Sequence, residues 1–424
     1  MKSEPRTVSW KSVMLLVTLF QLASFAPLLL RLDWEGLAAG AASQGGGLAA
    51  LLTLLGFPAM EWLFLLLLRA VTKKQNLAPE ILACWLSGLS LAVCGSISAE
   101  FAWKQAAAVA GGMLVYAAIL WAVSHPDRAM RLRPAVAVAA GGLLALNLVL
   151  AQAVNGQRNW IALGGFSIQP SELVKLAFVF VGAATLEKLQ RTPSITRYLI
   201  FAMGCVGALF LMKDFGTALL FFSTYIVIAL LRSSDLRAIA LVCAAAAMAA
   251  ALVLLFRPYV MGRFRVYRHV WDDMHGAGYQ QTRVLIYSSS GGLFGLGLGN
   301  GKLRNVFAAS TDLVFGVLCE EFGMLIAFLA AFSYVALAVY TVLHARQARS
   351  AFYAIAAISA SSMLLIQASL NIFGITDLLP LTGVTLPFIS RGGTSMLCSW
   401  GLLAFISADS GRNQRLANCK PPVG

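Results

Sequence analysis

Residues 307–332 read FAASTDLVFGVLCEEFGMLIAFLAAF, and their two halves make opposite demands. The second half is apolar enough to sit in hydrocarbon. The first half brings Asp312, Glu320 and Glu321 to its mouth, where each ion is costly to desolvate. The rest of the chain decides the class. Of 424 residues, 59% are hydrophobic and 12% charged, with a mean hydropathy of +0.79, far from a soluble domain. About 20 apolar residues span a bilayer as a helix. Twelve segments meet that length: 11–31, 48–70, 79–100, 104–124, 133–153, 170–187, 195–212, 216–233, 236–256, 313–343, 351–372 and 393–410. The fold expected is an all-α polytopic membrane protein of about twelve (10–12) transmembrane helices, forming a single integral membrane domain over 1–424.

Charge placement orients this bundle. The segments placed inside carry nineteen Lys and Arg, among them Arg69, Lys73, Lys74, Arg128 and Arg346, whereas the short outer loops carry Arg31, Lys104, Arg158, Lys213 and Arg391. Positive charge concentrates on cytoplasmic loops, so both termini are expected in the cytoplasm. The outer segment 257–312 breaks the pattern with Arg257, Arg263, Arg265, Arg268, Arg283, Lys302 and Arg304. Long loops are exported regardless of charge, but clustered cations beside a bilayer also suit phosphate. The net charge of +14 therefore divides between topology and an anionic substrate, with no nucleic-acid motif in it. The seven cysteines are scattered without a CxxC pair, which gives no thiolate metal site. No small-residue cleavage site follows the first apolar run, which is read as a span.

Four unusual stretches fall on one side of this topology. NGQRNWIALGGFSIQPSELVKLAF (155–178) is a Gly- and Trp-bearing loop leading to a helix start, with Glu172 and Lys175 on one face at i, i+3. MKDFGTALLFF (212–222) places Asp214 as the capping side chain of a turn. YSSSGGLFGLGLGNG (287–301) is too irregular to span, and its bare backbone suits a ligand approach, an interfacial bend or a flexible loop. NIFGITDLLPLTGVTLPFISRGGTS (371–395) is apolar but interrupted by Pro and Gly, as in chains that line a cavity at membrane depth.

Together with TDLVFGVLCEEFG, these stretches resemble the SEDS family (shape, elongation, division and sporulation), the membrane proteins of RodA, FtsW and SpoVE type. The likeness covers a core at 154–410 and leaves 1–153 as variable N-terminal spans. It implies a peptidoglycan glycosyltransferase in the bacterial cytoplasmic membrane, polymerising lipid II at the outer face. Undecaprenyl pyrophosphate would leave, and a class B penicillin-binding protein would work alongside. The matching Asp of the family is implicated in catalysis, which makes Asp312 the candidate base; Ser310-Thr311-Asp312 also reads as a plain helix cap. Candidate substrate-binding residues follow along the motifs: Arg158, Glu172 and Lys175; Lys213 and Asp214; Arg263, Arg265, Gln280 and Lys302; Ser390 and Arg391. The family often has Pro at Lys213, His at Ser310 and Tyr at Arg391.

An inverting displacement needs one base and cations for the departing pyrophosphate. Glu320 and Glu321, about 12–13 Å along a continuous helix from Asp312, are read as structural or gating residues. At least one of them is expected to pair with a backbone donor or a buried cation, with Lys175 as the partner that can be named. His269, Asp272, Asp273 and His275 could hold a divalent cation such as Mg2+, although such loop clusters are more often solvated; no metal site is assigned. A lipid II flippase fits broken helices equally, and a non-catalytic scaffold fits too. The clustering of motifs on one face favours the enzyme.

Overall fold

The structure is a computed structural model describing residues 9–30, 45–150, 152–154, 157–163, 166–186, 192–232, 240, 242–244, 247–248, 266–276 and 278–408. Apolar runs of bilayer length become helices because a backbone in lipid must satisfy its own hydrogen bonds. Before a small sheet come α1 (Trp10–Leu30), α2 (Gly45–Thr72), α3 (Ala78–Ile97), α4 (Ala99–Ala122) and α5 (Pro126–Leu150). After it come α6 (Pro170–Leu186), α7 (Thr192–Leu211) and α8 (Phe215–Arg232). The chain closes with α9 (Tyr279–Ser290), α10 (Val314–Glu321), α11 (Gly323–Ala345), α12 (Ala351–Ile375) and α13 (Gly393–Ser407). Seven of these are long and apolar enough to cross a membrane, with shorter apolar helices in α7, α8 and α13. The chain is a multi-pass membrane protein. Eleven of the twelve expected segments contain a described helix; the twelfth, 236–256, lies mostly outside the described residues.

Two expectations change. The loop before α6 is a three-stranded antiparallel sheet, β1 (Gln152–Val154), β2 (Gln157–Leu163) and β3 (Phe166–Ile168). Register pairs Gln152 with Trp160 and Ile161 with Ile168. Asn155-Gly156 and Gly164-Gly165 stand between the strands in sequence, and such pairs are the sequence mark of a hairpin. The expected single span 313–343 is instead two helices, broken where Gly323 takes φ +85.

Packing centres on α13, which is buried along nearly its whole length and lies most extensively against α4. Trp400 meets Phe64, Tyr116 and Phe388 edge-on at centroid distances of 5.5, 6.2 and 6.0 Å. Gly112 makes this approach possible, since a Cβ there would lie 2.7 Å from the indole. Lipid offers helices no hydrophobic drive to associate, so such close fits supply the cohesion.

Hydrogen bonds order the two ends of the bundle. At one end, Tyr353 Oη donates to the Val123 carbonyl at 2.8 Å, and Glu80 Oε1 accepts from Lys74, Tyr116 and Ser407 at 2.6–2.7 Å. At the other lie the α3–α4 turn at Ser98, the α7–α8 turn at Asp214, and the segments 278–312 and 376–392. All four unusual motifs meet at that second end.

Candidate functional site

The segment 376–392 is irregular backbone between two buried helices, and such backbone must find internal donors and acceptors. Side chains of α12 provide them. Gln367 Nε2 donates to the Thr385 carbonyl at 2.9 Å, and Asn371 Nδ2 to the Val384 carbonyl at 2.7 Å. The two residues are four apart, hence on one helix face. Tyr334 Oη reaches the Pro387 carbonyl at 2.6 Å and Gln105 Nε2 the Ser390 carbonyl at 3.2 Å.

This clamped segment holds the turn before α10. Ser390 Oγ donates to the Thr311 carbonyl at 2.6 Å, and the Arg391 amide to the Ser310 carbonyl at 2.7 Å. Asn371 Nδ2 also donates to the Asp312 carbonyl at 2.9 Å. The Asp312 carboxylate is half-buried beside exposed Gly383. A Cβ at 383 would lie 3.5 Å from Asp312 Oδ2, an ordinary contact, and it is φ +73 that favours glycine there. Gly216, opening α8, packs on Thr382 and Val384. The KDFG turn therefore adjoins the same segment.

Lys175 and Glu172, candidates for substrate contact from the motif and for an ion pair from their i, i+3 spacing, are buried beneath this surface and pair with each other. Lys175 Nζ contacts Glu172 Oε1 at 2.6 Å and Gln367 Oε1 at 2.9 Å, with 1% of the lysine exposed. The ion pair thus orients the amide that holds Thr385. Asp214 is also buried, and its Oδ1 accepts from the Thr217 amide at 3.1 Å as the cap of α8. Ser390 is buried within the clamp. Lys213 and Lys302 are exposed, and Gln280 donates to the Phe307 carbonyl at 3.3 Å. The Arg391 guanidinium lies 3.8 Å from the Phe101 ring centroid, a cation–π contact that gives this departure from Tyr a physical reason. Arg158 is on β2, but its side chain, like the whole of Arg263 and Arg265, lies outside the described residues.

Glu320 and Glu321 do not sit deeper than Asp312; the order is reversed. Glu321 lies beside Ser96, next to the α3–α4 turn, and Arg304 Nη1 donates to the Ser96 carbonyl at 3.2 Å. Ser390, which holds Thr311, is reached by Gln105, six residues into α4 and about 9 Å down its axis. Accordingly α10 lies beyond the outer end of the α11 span. Glu320 takes backbone donors and not Lys175: the Lys302 and Leu303 amides reach its two carboxylate oxygens at 2.7 and 2.9 Å. Glu321 is buried beside Ser96, Gly299 and Arg304, and burial pushes its pKa above the usual range.

The glycine-rich stretch approaches the protein's own backbone. Leu296 and Gly297 amides donate to the Glu320 and Glu321 carbonyls at 2.9 and 3.0 Å, and the Met324 amide to Gly292 at 2.9 Å. These bonds satisfy the end of α10 and the start of α11, which the break leaves open. Gly295, at φ +83, has no room for a Cβ against Glu321 and Phe322. Asp273 Oδ1 accepts from the Gly276 amide at 2.9 Å, and among the described residues no three His, Cys, Asp or Glu gather as metal ligands.

Residues 76–412 match the family model of FtsW, RodA and SpoVE, described as cell cycle protein. Stage V sporulation protein E of Bacillus subtilis is 33% identical over 263 residues, 60% of this chain and 72% of that protein. A probable peptidoglycan glycosyltransferase FtsW of Coxiella burnetii is 34% identical over 270 residues, 60% of this chain and 73% of that one. In fold, the chain resembles a component of a peptidoglycan synthase complex that coordinates polymerization and crosslinking. There the TM-score is 0.67 at 23% identity, covering 80% of this chain and 98% of that one. Rod shape determining protein RodA of Thermus thermophilus gives a TM-score of 0.59 at 24% identity over 80% and 97%. The family match begins at residue 76, so α3–α5 fall inside it and only α1 and α2 outside.

Proposed function

Because this chain belongs to the FtsW, RodA and SpoVE family of cell cycle proteins, we propose that it is a peptidoglycan glycosyltransferase. It polymerises lipid II at the extracytoplasmic face of the bacterial cytoplasmic membrane. The observation that carries this reading is the fixed seat of Asp312: its carboxylate adjoins Gly383 while Asn371 holds its backbone carbonyl, and the segment that carries Gly383 is backed by Gly216 of the KDFG turn and by Gln367, which Lys175 orients. Fixed geometry around one half-exposed carboxylate is what a general base requires.

In the proposed step, Asp312 takes the proton of an acceptor sugar hydroxyl as that oxygen attacks the donor's anomeric carbon. The bond to the lipid pyrophosphate breaks on the opposite face, and the electron pair leaves with the phosphate oxygen. An α-linked donor thus gives a β-linked strand. Lys213 and Lys302, both exposed at this end, supply charge for the leaving group. Glu172, Lys175, Asp214 and Ser390 act as positioning residues, because each is buried and engaged inside the protein. A class B penicillin-binding protein is the proposed partner. The likeness to a synthase complex coordinating polymerization and crosslinking supports it.

The test incubates purified protein, with and without such a transpeptidase, with labelled lipid II. Wild type is expected to make glycan chains and Asp312→Asn none. Chains at the wild-type rate from the variant would remove Asp312 from the chemistry. Lipid movement across liposomes with no chains from either would replace the enzyme by a flippase.

A further inference from the structure

The end of the bundle opposite Asp312 carries a second constellation that glycosyl transfer does not use. Between α1 and α3 lies a cleft of about 960 Å³ walled by Val13, Val17, Ile81, Leu82 and Trp85. It adjoins a second opening of about 480 Å³ against α2, where Lys11, Arg69 and Lys73 gather. Trp10 and Gln75 border both, so the apolar cleft and the basic opening form one continuous feature. Arg69 sits 5.3 Å over the Trp10 ring, which holds its guanidinium at the rim.

Three points restrict what fills it. First, among the described residues no carboxylate lines either opening and none pairs with Lys11, Arg69 or Lys73. The neighbouring Lys74 shows the contrast, being buried against Glu80 at 2.6 Å. Second, the cleft is mostly hydrocarbon in character and borders helices whose Leu15, Leu16 and Leu66 are exposed as lipid-facing residues are. A free phosphate ester would leave that cleft unfilled. Third, Trp beside Lys and Arg at a helix end is the arrangement of a headgroup plane, and basic pockets between helices on the inner side suit anionic lipid headgroups. Charge complementarity and shape thus agree on one occupant.

We propose that the cleft between α1, α2 and α3 binds an anionic diacyl phospholipid, with phosphate on Lys11, Arg69 and Lys73 and an acyl chain along Val13, Leu82 and Trp85. The three cations and the α1 wall lie outside residues 76–412, whereas Ile81, Leu82 and Trp85 of α3 lie inside, so the site straddles the start of the family match. The proposal does not depend on the proposed activity.

The test reconstitutes the full chain in nanodiscs of phosphatidylcholine with a minor share of phosphatidylglycerol, extracts it in mild detergent, and measures co-purified lipid by mass spectrometry. Phosphatidylglycerol is expected to be enriched at least fivefold over its share, since even one cation near an anionic headgroup is worth roughly fivefold in affinity. Lys11→Gln, Arg69→Gln and Lys73→Gln combined should abolish the enrichment. Val13→Trp, which fills the cleft and keeps the cations, should also reduce it. Both variants must elute as the wild type does, and Val13→Trp decides the matter if the triple variant does not fold. Equal retention of the two lipids would overturn the proposal, as would enrichment that survives both variants. Displacement by glycerol phosphate alone would reassign the site to a soluble phosphate ester.

Discussion

The Asn371 amide holds the backbone carbonyl of Asp312 at 2.9 Å while gripping that of Val384 at 2.7 Å. One side chain thereby ties the candidate base to the irregular segment opposite it. A misplacement of about 1 Å in a catalytic group costs on the order of 100-fold. Asn371→Leu, which removes both bonds, should therefore lower kcat for lipid II polymerisation by about 10- to 100-fold with KM nearly unchanged. A KM effect alone would mean that Asn371 touches substrate.

The buried Lys175–Glu172 pair gives a second prediction. Removing one partner strands a buried ion, which costs about 3–5 kcal/mol, whereas removing both costs far less. Lys175→Met should lower the thermal midpoint of the detergent-solubilised protein steeply. Adding Glu172→Gln should restore much of the loss. Additive losses in this double-mutant cycle would show that the two groups act independently.

Glycine positions differ sharply in what they tolerate. Gly295→Ala imposes a side chain at positive φ, worth about 1–2 kcal/mol, and adds a collision with the Glu321 backbone. Gly141 in α5 has nothing within 4 Å of where a Cβ would stand. There Gly→Ala should be neutral or stabilising by up to ~1 kcal/mol, through helix propensity. Thermal unfolding should show a clear loss for Gly295→Ala and none for Gly141→Ala.

Glu321 should make stability depend on pH. Burial raises its pKa in the folded protein above the ~4.3 of an unfolded glutamate. Between those two values the folded state holds a proton that the unfolded state has lost, so stability falls as pH rises through the window. Glu321→Gln, neutral at every pH, should raise the thermal midpoint most above the folded-state pKa. Its advantage should vanish near pH 4. A variant less stable than wild type at pH 8 would mean that the carboxylate is favourably held.

Composition and pattern determined the membrane class, nearly every span, and the four motifs at one end. Those properties depend on runs of apolar residues and on turn residues adjacent in the chain, which a linear reading captures. The role of Asp214 as a cap was legible for the same reason, since its partner Thr217 is three residues away. The acids of 307–332 were not legible in this way. Glu320 is satisfied by amides 17 and 18 residues upstream, and Asn371 reaches Asp312 across 59 residues. A straight helix set Glu320 deep in the bilayer and offered Lys175 as its partner. The break at Gly323 turned α10 outward, and Lys175 was already held by Glu172. Such partnerships arise from how distant segments pack, so only the tertiary structure could decide them.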